Sequence, residues 1–457
     1  MGSSLSVEEE RLLDRALAAA RDTRFLTVGR GARQDVARVF ASAFGDVSAV
    51  VVADDRTFAA AGRDVLERLR RAGVVCGEPF LFGSDVHAEH GFVERLQGAL
   101  GSIEAVPVAV GSGTINDLTK LVAHRLGRPY LAVATAASMD GYTAYGASIT
   151  YRGSKQTFDC PAPRAVLADL DVIAPAPEGL NASGYADLLA KGAAGADWIV
   201  ADAAGEEPID SQVWATVQEF LPSWVESPVG VARSEPETLR RLTVGLMMSG
   251  FAMQAARSSR PASGADHQFS HLWDMQHHTH NGVAPSHGFK VGIGTLASLE
   301  LYEVLLRRDL GRIDVDAATA AWPSTEHVEA RITELFGEGE LAAKAREETA
   351  AKQPTPEAIR AQLERLRDGW PALRDRLNRH LAPYRNARAM LEAAGCPSRP
   401  EQIGISRERL RVSFEQAYYI RRRFTVLDFA RRLGVFDSAM DELFGPGGPW
   451  TLENGRS

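Results

Sequence analysis

Ala105-Val106-Pro107-Val108-Ala109-Val110 runs directly into Gly111-Ser112-Gly113, and Thr114-Ile115-Asn116-Asp117-Leu118-Thr119-Lys120 then takes up a helical pattern. A short apolar run closed by glycine reads as a buried strand, and the pattern beyond the turn reads as a helix. Glycine lets the backbone approach a pyrophosphate closely, and the amides opening the helix can donate hydrogen bonds to phosphate oxygens. The same letters also describe an ordinary tight turn. Asp117 and Lys120 are better read as helix-start and packing residues than as phosphate ligands.

Outward from that turn, short β-rich runs alternate with helical ones. Strands are predicted at residues 48–53, 74–82 (interrupted by Gly77-Glu78-Pro79), 105–110, 131–134 and 165–168. Helices are predicted at 57–72 and from about 116 to 125. Residues 148–151 and 155–158, joined by Arg152-Gly153-Ser154, read as an added hairpin. Such alternation predicts an α/β, Rossmann-like domain with a mainly parallel sheet. At Ala174-Pro175-Ala176-Pro177-Glu178 the texture changes, and helical patterns appear at 182–202, 211–220, 236–258, through His267, and at 291–308, 355–378 and 402–444. The expected organisation is an α/β domain over 1–177, whose glycine turn points to a nucleotide, and an all-α domain over 178–457, with the active site expected in the cleft between them.

Composition narrows the function. At 457 residues the chain has room for two ordinary cores. A net charge of −8 argues against nucleic-acid binding, which needs clustered Lys and Arg. The run Arg421-Arg422-Arg423 is read as a solvated helix face. No apolar run is long enough to span a bilayer, and the first residues lack a signal-peptide pattern. Cys76, Cys160 and Cys396 form no disulfide framework or ligand pair, so a cytoplasmic location is expected.

Four residues carry the chemistry. His267 and His271 stand at i and i+4 and share a helix face; His287 opens the next helical pattern, and Asp187 lies within a helix-forming run. Zinc, nickel and iron all accept imidazole and carboxylate, and a catalytic site keeps a position open for substrate. Not all four need be ligands; a cation on Asp187, His267 and His287 would leave His271 for the substrate. Against this stands the reading of a His-rich surface stretch, which is preferred for His277, His278 and His280 in the polar loop 276–282. Asp54, after the strand 48–53, is placed either to accept from an adenosine ribose or to cap a helix. Thr135-Ala136-Ala137-Ser138 suits the nicotinamide ribose and phosphates, and Asp140 stands beyond it at the cleft.

Gly-Ser-Gly-x-x-x-Asp at 111–117, Thr-Ala-Ala-Ser-Met-Asp-Gly at 135–141, Gly-Tyr-Ala-Asp-x-Leu-Ala-Lys at 184–191, Asp-His-x-x-Ser-His at 266–271 and Ser-His-Gly-x-Lys-Val-Gly at 286–292 occur in one order. Together they resemble the sn-glycerol-1-phosphate dehydrogenase family, within the wider group of glycerol dehydrogenase, iron-containing alcohol dehydrogenase and dehydroquinate synthase. The likeness covers nearly the whole chain, and the tail resembles the longer bacterial members. It implies Asp187, His267 and His287 as metal ligands, and Asp140, Asp187 and His271 as substrate contacts. It also implies Gly111, Ser112, Gly113, Thr114, Ile115, Thr135, Ala136, Ala137 and Ser138 as NAD(P)-binding residues, with Asp54 on the ribose. Two positions depart from the pattern: Ala144 stands where relatives carry a cofactor-contacting serine, and Phe289 where the wider group often has glutamate. Thr143 or Tyr145 would be the substitutes for that serine.

The resemblance implies reversible reduction of dihydroxyacetone phosphate to sn-glycerol 1-phosphate by NAD or NADP, one divalent metal and a homodimer; on ligand chemistry zinc comes first, with nickel or iron as alternatives. Asp54 favours NAD over NADP, because a carboxylate there repels the extra phosphate. Rival readings are a dehydrogenase of another polyol or polyol phosphate, a dehydroquinate synthase-type lyase, and a catalytically silent nucleotide-binding protein. No substrate-phosphate pocket is legible; Lys155, Lys191 and Lys290 qualify by charge alone.

Overall fold

The computed structural model describes residues 7–151, 154–177 and 179–452. Its contacts divide the chain into two units. The first comprises the described residues of Met1–Leu188, Gln212–Ala262 and Ala393–Gly395; the second comprises those of Leu189–Ser211, Ser263–Glu392 and Cys396–Ser457.

The first unit is built on a six-stranded sheet, with every pairing parallel. Its strands are β1 (Phe25–Gly29), β2 (Ala49–Ala53), β3 (Phe80–Leu81), β4 (Val106–Gly111), β5 (Leu131–Ala134) and, after the hairpin of β6 (Ala147–Tyr151) and β7 (Ser154–Phe158), β8 (Ala165–Asp169). The order across the sheet is β1-β8-β5-β4-β2-β3. Strands β2, β4, β5 and β8 are buried along their whole length, which is why each is a continuous apolar run: parallel strands covered on both faces have no polar side. The residues joining the hairpin, Arg152-Gly153, lie outside the described residues.

Three expectations change here. An edge strand, β1, precedes those read from the sequence. The run 74–82 shrinks to β3, with only an isolated bridge between Ala49 and Cys76 upstream, because Gly77-Glu78-Pro79 breaks the ladder. The helix after β4 begins at Gly113, three residues earlier than expected, and runs to Arg125.

Register aligns the carboxyl ends of the central strands. Gly111 pairs with Ala134 and Val52 with Ala109, so Asp54, Gly111–Gly113 and Thr135 leave neighbouring strands at the same edge. The loop after β5 is organised from below by Lys120. This residue is buried, and its ammonium donates to the carbonyls of Gly141, Ala144 and Gly146, each at 2.9 Å. Asp117 accepts from the Ser148 amide at 3.1 Å. Both residues hold backbone in place, as the packing reading anticipates.

Among its described residues the second unit contains helices and no strand beyond one bridge between His280 and Val283. Helix Leu180–Ala204 runs unbroken from the first unit into the second. Its Asp197 ties three elements together, accepting from the Ala265 amide at 2.6 Å, the Tyr302 hydroxyl at 2.6 Å and the Val426 amide at 2.8 Å. The helices Ala265–Met275 and His287–Leu306 lie in intimate contact at Gly294, where a methyl group would sit 2.3 Å from the Asp266 carbonyl oxygen. Only glycine permits that approach.

The predicted helical stretch 402–444 is three helices, Arg407–Tyr419, Val426–Arg432 and Phe436–Phe444. Arg421-Arg422-Arg423 is therefore not a helix face. It falls in the link before Thr425, whose hydroxyl and Asp428 form a reciprocal cap that starts a new helix.

Candidate metal centre

Asp187, His267 and His287 each offer a ligand atom, and these atoms all lie within 4.8 Å of one another. Asp187 is fully buried and His267 nearly so. Buried carboxylate beside two imidazoles is costly without a compensating cation, and this donor set suits a divalent transition metal. The residues present fit such an ion.

Local sequence explains how each donor is held. Gly264 precedes the helix Ala265–Met275, so His267 and His271 project from its opening turns. Asp266 grips His267: its Oδ2 lies 2.6 Å from His267 Nδ1, and its Oδ1 accepts the Gly264 amide at 2.9 Å. A carboxylate on Nδ1 places the ring proton there and leaves Nε2 as the donor to a cation, the usual arrangement behind a metal-bound histidine. Ser286 caps the helix that His287 opens, accepting from the Phe289 amide. Ser270 Oγ faces His287 Nδ1 at 3.5 Å. Asp187 Oδ2 accepts from the Asp140 amide at 3.1 Å, while Asp140 Oδ2 accepts from the Ser249 hydroxyl at 2.8 Å. The structure thus brings Asp140 against Asp187.

His271 stands apart from that triad. Its ring centroid lies 6.2 Å from that of His267 and 6.4 Å from that of His287, and it lines a cavity of about 390 Å³. His278 serves the fold: Nε2 meets the Ile403 carbonyl oxygen at 2.6 Å and Arg409 donates to Nδ1, while burial pulls its pKa below the ordinary value.

In the first unit, Gly111, Ser112, Gly113, Thr114 and Ile115 form the turn and opening of the helix after β4. Thr135, Ala136, Ala137 and Ser138 come directly after β5 and are all buried. The Ala137 amide donates to Asn181 Oδ1 at 3.0 Å, and a methyl group on Gly184 would lie 1.9 Å from the Ala137 carbonyl oxygen. Asp54 caps a helix, with Oδ1 accepting from the Thr57 amide at 2.8 Å. Ala144 is buried against Met253 and Ala262. Thr143, its possible substitute, has its hydroxyl committed to the Met247 carbonyl at 2.7 Å, and Tyr145 lies under the Arg257 guanidinium. Of the lysines singled out by charge, Lys290 is paired with Asp274 and Lys191 is fully buried. Lys155 sits on β7 opposite Thr150.

Sequence reading missed Asp266, Asp197 and Ser249. Asp266 was findable, since a carboxylate next to a metal-binding histidine is a common supporting pair. Asp197 acts 68 residues from the amide it caps, and no local pattern announces that.

A family model for iron-containing alcohol dehydrogenase matches residues 27–177. The fold is similar to that of glycerol dehydrogenase from Schizosaccharomyces pombe, with a TM-score of 0.58 and 16% identity, covering 92% of this chain and 90% of that one. At that identity the likeness shows the fold alone. Closer relatives narrow the class. The chain is 36% identical over 270 residues to glycerol-1-phosphate dehydrogenase [NAD(P)+] of Halalkalibacterium halodurans, covering 58% of this chain and 67% of the relative. It is 32% identical over 383 residues to the enzyme of the same name from Geobacillus thermodenitrificans, covering 83% of this chain and 85% of the relative. The chain belongs to the glycerol-1-phosphate dehydrogenase family.

Proposed function

We propose that this protein is an NAD(P)-linked dehydrogenase that reversibly reduces dihydroxyacetone phosphate to sn-glycerol 1-phosphate, with a divalent cation held by Asp187, His267 and His287. The observation that carries the reading is the convergence of those three donors, with Asp266 fixing the His267 tautomer. Zinc is the first choice for one carboxylate and two imidazoles, with nickel or iron as alternatives. When bound, the cation polarises the substrate carbonyl as a Lewis acid and the reduced nicotinamide supplies the hydride.

The chain's own residues bind and orient. Amides at the Gly111–Gly113 turn and the first turn of its helix donate to the pyrophosphate, with Thr114 and Ile115 lining it. Thr135 through Ser138 hold the nicotinamide ribose, and Asp54 accepts from the adenosine ribose with the oxygen not used on Thr57, which favours NAD over NADP. His271 and Asp140 orient the substrate hydroxyl groups. Residues 1–177 bear the nucleotide and 178–457 most of the metal and substrate contacts; the enzyme works as a cytoplasmic homodimer.

A steady-state assay of NADH and NADPH oxidation with dihydroxyacetone phosphate, alongside dihydroxyacetone, tests the proposal. Stoichiometric nucleotide consumption with the phosphate ester, giving sn-glycerol 1-phosphate by chiral analysis, is expected. Faster turnover of the unphosphorylated ketone would move the protein to another polyol. Reaction without net nucleotide oxidation would favour a synthase-type lyase.

A further inference from the structure

Two side chains of the first unit grip the stretch Thr135–Ser138 from different directions. Tyr142, only 2% exposed, donates its hydroxyl to the Ala136 carbonyl oxygen at 2.8 Å, and the Gly111 carbonyl oxygen lies 3.4 Å from the same phenol, a weaker contact. Burial raises the phenol's pKa well above its ordinary value, partly offset by hydrogen bonding with Ser138 and Ala136, so the group stays a donor. Asn181, in the opening turn of helix Leu180–Ala204, accepts from the Ala137 amide at 3.0 Å. It is itself anchored, with Nδ2 donating to the Ile173 carbonyl oxygen at 2.9 Å.

The Ala136 carbonyl and the Ala137 amide belong to one planar peptide group. Tyr142 holds one end of that plane and Asn181 the other, so its orientation is fixed. The amides flanking it are unused. Those of Ala136 and Ser138 make no hydrogen bond with the described residues, although these residues are 1% and 7% exposed. Buried amides are paired in nearly all native structures, which leaves these two as donors for a ligand. A satisfied phenol is ordinary for a buried tyrosine. Two clamps on one peptide, set between two unpaired amides, are more than packing requires.

We infer that Tyr142 and Asn181 are positioning residues for the nucleotide: by fixing the Ala136–Ala137 peptide, they aim the Ala136 and Ser138 amides at the nicotinamide half of NAD(P)H. This rests on reading Gly111–Ile115 and Thr135–Ser138 as the nucleotide site, and it adds two residues that act through the backbone. Donors already held in place bind without the entropic cost of ordering the loop. Their contribution is therefore to nucleotide affinity, with little effect on the hydride step itself.

Tyr142→Phe removes one oxygen and keeps the buried ring. On the full-length, metal-loaded protein, fluorescence titration measures NADH affinity, and displacement of NADH measures the affinity for ADP, which lacks the nicotinamide half. NADH binding should weaken about tenfold, the scale set by one buried hydrogen bond, while ADP affinity changes far less. KM for NADH should rise in step, with kcat at saturating NADH and metal content near those of the wild type. Asn181→Ala, at the other end of the same peptide, should reproduce this pattern. A general loosening of the fold would instead weaken both ligands and lower metal content. Wild-type NADH affinity in either variant overturns the inference and leaves the nucleotide site standing. Equal weakening of NADH and ADP also overturns it, since the peptide would not serve the nicotinamide half. No NADH binding by the wild type removes both the inference and the site on which it rests.

Discussion

Replacing Asp266 by asparagine tests how the metal centre is preorganised while leaving all three proposed ligands in place. In the native chain the two carboxylate oxygens serve different donors, His267 Nδ1 at 2.6 Å and the Gly264 amide at 2.9 Å. An asparagine has one acceptor oxygen. If that oxygen takes the Gly264 amide, its NH2 group faces His267 and drives the ring proton onto Nε2, the nitrogen needed for the cation. If it turns the other way, the NH2 group opposes the Gly264 amide at the start of the helix that carries both histidines. The first arrangement keeps both hydrogen bonds but in the wrong tautomer for the cation; the second costs a buried hydrogen bond, roughly 1–3 kcal/mol of stability. Loss of such an outer contact weakens metal binding about 10–100-fold, equivalent to about 1.4–2.7 kcal/mol. Competition against a chromophoric chelator measures the affinity, with thermal melting of the metal-free protein in parallel. Wild-type metal affinity in Asp266→Asn would refute the assignment of Asp266 as the residue that orients His267.

The remaining predictions concern substrate, nucleotide and stability. His271→Ala should raise KM for dihydroxyacetone phosphate tenfold or more while metal content measured by elemental analysis stays near one per chain; loss of metal instead would make His271 a ligand. Gly111→Trp should weaken NADH binding at least tenfold by fluorescence titration, because any side chain there meets Ile115 at 2.5 Å from the first carbon; unchanged affinity removes the turn from the nucleotide site. Burial and the neighbouring Glu303 raise the Glu300 pKa to about 7, so the folded chain holds a proton that the unfolded chain releases near 4.5. Stability from this group is therefore full below about 4.5 and falls as pH rises towards 7. Glu300→Gln should stabilise the protein by about 1–2 kcal/mol at pH 7.5 and flatten that window in denaturant titrations; equal stability of the two proteins at pH 7.5 would count against it.

Legibility in the sequence tracked burial. Strands β2, β4, β5 and β8 stood out because both faces are covered, making each an unbroken apolar run. The edge strand β1, Phe-Leu-Thr-Val-Gly, is half-buried throughout and carries neither alternation nor a continuous apolar run. The histidines at i and i+4 were readable because helix geometry puts them on one face, and the capped start at Ser286 made His287 readable too. The arginine run was misread because its neighbours look helical on both sides. Thr425-Val426-Leu427-Asp428 is a capping box that marks a fresh start and shows that the preceding segment is a link. The roles of Asp197 and Lys120 depend on tertiary partners, so composition and spacing could not supply them.

The central claim is that one cation is held by Asp187, His267 and His287. Anomalous diffraction recorded on either side of the metal's absorption edge, from crystals of the metal-loaded protein, addresses it directly. A single peak per chain within about 2.0–2.2 Å of an oxygen of Asp187 and a nitrogen of each histidine is the expected result. A peak elsewhere, or full enzymatic turnover in a protein showing none, would contradict it.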